Sequence, residues 1–140
     1  MDRAEEIVDE LVSICEGLGY TVELDRRLPV QENQTPLVVV RTGEEEMDEG
    51  SNLLTYDHLW TIRPAIELYM SDSNPSNDRA ALNQFWKDFR VAFKQSAIVQ
   101  KPLIRENTKP DYARVLVSPS HNPKISGQII NCEFKIKRID

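Results

Sequence analysis

Residues 127–139 read GQIINCEFKIKRI, and their side chains alternate with a period of two. Ile130, Cys132, Phe134 and Ile136 fall on one parity, and Asn131, Glu133, Lys135 and Lys137 on the other. A run of this length at that period is a β-strand with one buried and one wet face. It requires partner strands, and an apolar layer over one side of the resulting sheet.

Two amphipathic helices can supply that layer. In residues 3–17, Ile7, Leu11, Ile14 and Leu18 recur at helical spacing with Val8 and Cys15 beside them, and Glu5, Glu6, Asp9, Glu10 and Glu16 take the remaining positions. Acids in the first turns suit the positive end of the helix dipole, and Gly17 and Gly19 provide the stop. The second helix is expected over about 78–97, with Leu82, Phe85, Trp86, Phe89 and Phe93 as its apolar stripe. These aromatics read as core rather than as a binding platform.

Four further strands are expected. Residues 20–25 alternate, and Leu37, Val38, Val39 and Val40 form an apolar, β-branched run that suits a central strand covered on both faces. In the long extended run 53–70, Trp60, Ile62, Ile66, Leu68 and Met70 share one parity. Pro64 interrupts that ladder and calls for an edge position or a bulge nearby. A short strand at 113–117 precedes the last one. Between the second and third strands, GEEEMDEGSN at 43–52 is bounded by glycines and dense in like charge, so it is expected as an exposed, mobile loop. The order α-β-β-β-α-β-β gives a single α+β domain: about five strands in an antiparallel or mixed sheet, with two helices packed on one face.

A chain of 140 residues holds one ordinary core. Its 40% hydrophobic and 29% charged residues are those of a folding sequence. No run approaches the roughly 20 apolar residues that span a bilayer, and residues 1–10 are acidic where a secretory leader is basic and then apolar. Cys15 and Cys132 both fall on apolar faces, as buried thiols do in a reducing compartment. Charge is unevenly distributed: residues 1–78 carry 18 acids and 5 bases, whereas residues 79–140 carry 5 acids and 12 bases. Folding can intermix the two halves in space. Alternatively an acidic face of one subunit meets a basic face of the next, with Glu44, Glu45, Glu46, Asp48 and Glu49 on one side and Lys135, Lys137 and Arg138 on the other.

The motif search returns no catalytic, metal or cofactor site. His58, His121, Cys15 and Cys132 lack ligand spacing for zinc. Gly17-x-Gly19 ends a helix, the reverse of a pyrophosphate-binding turn. Asp72, Asn74 and Ser76 imitate the start of a calcium loop, but Asn77 and Asn83 stand where glycine and glutamate are needed, so they read as a turn into a helix cap. Asn33-Gln34-Thr35 matches a glycosylation sequon and reads as loop. The acids of 44–49 lack the rigid placement that acid–base catalysis needs. The C-terminal bases do not interleave with aromatics, and the net charge of −6 opposes specific nucleic-acid binding.

Several segments together resemble one family. These are the acidic first helix, the stretch from Leu28-Pro29 to Thr35-Pro36, PLVVVRTGEEE (36–46), LWTIRPAIELYM (59–70), ALNQFWKDF (81–89) and the closing GQIINCEFKIKRI. Their arrangement resembles the tail-terminator and minor tail proteins of long-tailed bacteriophages and prophages. The resemblance implies a non-catalytic structural protein without cofactor, located in the virion tail and assembled in the bacterial host cytoplasm. It would cap the tail tube as a ring of six subunits, end tube polymerisation and offer a surface to the head-tail connector. Its partners would be other copies of itself, the tail tube protein and the connector, with no membrane. The isolated chain is expected to be monomeric when dilute, ring closure being gated by the tube end. A head-to-tail joining protein of similar fold is the alternative, and a small ligand-binding or regulatory α+β domain is the alternative from another class.

Overall fold

The computed structural model describes residues 2–48, 57–72, 74–100, 110–117 and 124–139. The α-helices and strands in chain order are α1 (Arg3–Gly17), β1 (Val22–Leu24), β2 (Leu37–Met47), β3 (Asp57–Met70), α2 (Pro75–Gln95), the short α3 (Ala97–Gln100), β4 (Asp111–Val117) and β5 (Ser126–Ile139), with one 3-10 turn, Glu32–Gln34, between β1 and β2. The strands form one five-stranded sheet in the order β1-β2-β3-β5-β4. β1 and β2 are parallel and every other pair is antiparallel, so the sheet is mixed. The fold is α+β, as expected.

The helices share one face of the sheet. Ile7, Leu11 and Cys15 of α1 and Phe85, Phe89 and Phe93 of α2 are buried in one cluster with Val38, Val40, Ile66, Leu68, Ile130, Cys132, Phe134 and Ile136. The aromatic stripe of α2 runs through this cluster. Phe93 lies 4.7 Å from Tyr112, 5.5 Å from Phe89 and 6.0 Å from Phe134, between ring centroids, and Tyr20 meets Phe85 edge-on at 5.1 Å. Asn74 starts α2 as its cap, its side chain accepting from the Ser76 N–H at 3.0 Å, while Asp72 accepts from the Asn74 N–H. The calcium-like residues are therefore a turn and a cap.

No described α-helix lies on the other face. Leu37 and Val39 point to it and are nonetheless buried. The parallel β1–β2 link needs a long return, and residues 25–36 make it on this side. There the guanidinium of Arg41 donates to the Arg26 carbonyl, and Arg26 donates to the carbonyls of Leu28 and Pro29 and to Gln34. The apolar run 37–40 is thus central and covered on both faces, as its composition requires.

Pro64 does not place β3 at an edge, since β3 lies between β2 and β5. The bulge is in the neighbour: the β2–β3 register shifts by one residue between Arg41 and Glu44, opposite Pro64. Gly43 occupies it with φ +73°, and a Cβ there would come within 2.1 Å of the Arg63 carbonyl oxygen.

The acidic segment is the main correction. Residues 43–47 are not a loop but the distal half of β2, with Glu44 opposite Arg63, Glu45 opposite Ile62, Glu46 opposite Thr61 and Met47 opposite Trp60. Alternation sends Glu45 to the helix side and Glu44 and Glu46 to the other, which separates like charges, and each side supplies an arginine. Residues 49–52, the rest of the expected loop, lie outside the described residues, as do 53–56 of the expected third strand.

Candidate assembly surface

The helix-free face carries rows of charged side chains at cross-strand spacing. At its centre Arg63 of β3 meets Glu46 at 3.0 Å, Glu133 of β5 at 3.4 Å and Glu44 at 3.8 Å. Nearby, Lys135 of β5 reaches Asp48 at 3.0 Å and donates to Thr61 Oγ1, and that hydroxyl donates to Asp48 at 2.6 Å. Burial opposes the charge on Asp48, but the Thr61 and Lys135 hydrogen bonds outweigh it and hold the carboxyl below its ordinary range. Towards β1, Arg41 pairs with Glu67 at 2.9 Å, and the Tyr69 hydroxyl donates to the same carboxylate at 2.6 Å.

On the helix side Arg138 joins three elements. It pairs with Asp2 at the start of α1 at 2.7 Å and with Glu45 of β2 at 3.0 Å, and its guanidinium lies 5.0 Å from the Trp60 ring centroid. The Arg138 hydrogen bond holds the Asp2 carboxyl low.

The two sides expected to meet across a subunit boundary therefore meet within one chain: Asp48 with Lys135, and Glu45 with Arg138. Glu44 and Glu46 share Arg63. Lys137 is exposed on the helix-free face, and Glu49 lies outside the described residues. Part of the opposite charge between the halves of the sequence is thus matched within the chain, by Asp48 with Lys135 and by Glu45 and Asp2 with Arg138.

A second cluster joins α2 to β4. Trp86 is only half-buried, and two guanidiniums lie against its ring, Arg90 at 5.1 Å and Arg114 of β4 at 5.4 Å from the centroid. Tyr112 meets it edge-on at 5.7 Å, and Arg114 also donates to Asn83 at 2.8 Å. Neither arginine pairs with a carboxylate among the described residues. Trp86 and Arg90 stand one helical turn apart and were a visible pair. Arg114 arrives from a distant strand and was not.

The depressions of the surface are shallow. One of about 520 Å³ lies on the helix-free face between Glu44, Arg63, Ala113 and Glu133, and another of about 690 Å³ lies between residues 30–33 and Ser71. Among the described residues no group of three His, Cys, Asp or Glu side chains could hold a metal ion, and no helix is long and apolar enough to cross a membrane. Cys15 and Cys132 are free thiols in the core, and burial pushes both pKa values up to about 12.

No protein-family model and no curated protein matches the chain.

Proposed function

We propose that this chain is a structural subunit of a phage-type tail that assembles head to tail into a ring capping the tail tube, as tail terminators do. The observation that carries the reading is a sheet that the described residues leave open at both ends, with different chemistry at each. Beyond Val40, where β1 stops, distal β2 presents an acidic edge, and at the far end β4 presents an edge bordered by Arg90 and Arg114. Two unlike open edges on one subunit are what a heterologous contact needs, and a heterologous contact closes into a ring when its rotation permits. The helix-free face, where Arg41, Arg63 and Lys135 are tied to carboxylates of the same chain, then serves as a wetted surface instead of a docking surface. The resemblance in segment order supplies the tail context. The ring caps the tube, ends its growth and meets the connector.

Sedimentation velocity from micromolar to near-millimolar concentration, joined to negative-stain imaging, tests the assembly. Monomer when dilute and head-to-tail oligomers when concentrated are expected, with closed rings once tail tubes are added; monomer throughout, tubes included, overturns it. Electron microscopy of particles lacking the protein tests the role. Overlong tails are expected of a terminator, whereas normal detached tails would assign the joining role instead.

A further inference from the structure

We infer that the β4 edge of one copy pairs antiparallel with the distal β2 edge of the next, the arginines beside Trp86 receiving the acidic strand. This rests on the head-to-tail reading above and names its contact.

Direction comes first. β2, β3, β5 and β4 are successively antiparallel, so β2 and β4 run in opposite senses within one sheet. A second copy rotated about an axis along the strands brings its β2 beside β4 in antiparallel order, and repetition makes the same unlike contact at each step. Among the described residues both edges have room. β4 has β5 on one side and no described strand on the other, and distal β2 extends past β1.

Faces and charge also agree. Arg114 and Glu45 both lie on the helix side of the sheet, so a continuous sheet sets them on one face. With Glu45 opposite Arg114, Glu46 stands opposite Ala113 on the helix-free face. Arg90 and Arg114 have no carboxylate partner among the described residues, and Glu45, the acid of distal β2 on their face, keeps 34% of its side chain exposed beside Arg138. Apolar side chains stranded at the two edges, Leu116 at 56% exposure and Met47 at 45%, would be covered by the same contact.

The test mixes a Glu46→Cys chain with an Ala113→Cys chain at high concentration and low salt under mild oxidation. Mixed 46–113 disulfides should outnumber 46–46 and 113–113 products. Arg90→Gln/Arg114→Gln in the Ala113→Cys chain should cut the mixed yield about tenfold, since close charge pairs across an interface contribute strongly. Circular dichroism confirms that this variant is folded. Oligomers in sedimentation without the 46–113 link sink the edge contact and leave the ring reading standing. Dominant 113–113 links show a symmetric edge and overturn the inference. Absence of any oligomer removes both readings.

Discussion

At the scale of single residues, Gly43 and Pro64 solve one problem from two sides. Pro64 has no N–H to give the ladder, and the extra residue in β2 absorbs the mismatch where the backbone approaches most closely. Gly43→Ala adds a left-handed alanine and drives its Cβ into the Arg63 carbonyl. The expected loss is about 1–3 kcal/mol, measured by urea unfolding. Gly17 is the control, because it ends α1 in helical geometry and a Cβ added there would meet nothing within 4 Å. Gly17→Ala should be neutral or stabilising by up to about 1 kcal/mol. Equal effects at the two sites would show that the bulge is not what requires Gly43. Pro64 announced the irregularity in the sequence, but its location in the opposite strand depended on a pairing partner that no local pattern reveals.

Secondary-structure elements differ in how much of themselves the sequence displays. α1, α2 and β5 each show a single period, and burial follows it at Ile7, Leu11 and Ile14, at Leu82, Phe85, Phe89 and Phe93, and at Ile130, Cys132, Phe134 and Ile136. Distal β2 was hidden because its carboxylates are matched by Arg63, 17 residues from Glu46, and by Arg138, 93 residues from Glu45. Read locally, such charge density says loop. Gln128 was equally opaque: it is fully buried on the helix side of β5, where its amide donates to the Leu82 carbonyl at 3.1 Å. The candidate surface residues were legible as charges, but not as partners of one another. The α2 stripe supports a quantitative expectation. Phe93 touches three other rings, so Phe93→Ala should cost about 3–5 kcal/mol, whereas Val91→Ala on the exposed side of the same helix should stay within about 0.5 kcal/mol, both read by urea unfolding. A small loss at Phe93 would mean that the aromatic cluster is loosely packed.

For the molecule as a whole, the uneven charge of the sequence becomes a set of ties between its ends. Asp2 is bound to Arg138, and Asp48 to Lys135, so carboxylates of the N-terminal half hold the last strand. The Thr42 hydroxyl and amide likewise hold Asp25 low. All three carboxyls are depressed below their ordinary values in the folded chain. Such a group binds fewer protons folded than unfolded, so its contribution is full above the unfolded carboxylate pKa of about 4 and is lost as pH falls through the folded value. Stability should therefore be nearly flat from pH 7 to about 5 and decline below that. Arginine and lysine keep their charge over this range, so the loss belongs to the carboxyls. Urea unfolding at intervals from neutral pH to about pH 3 should show a steeper acid decline for the wild type than for Asp2→Asn/Asp48→Asn, the variant being less stable at neutral pH and the two curves converging at low pH. Parallel curves would mean that the ties between the chain ends contribute nothing to folding and that the apolar core alone joins β5 to α1.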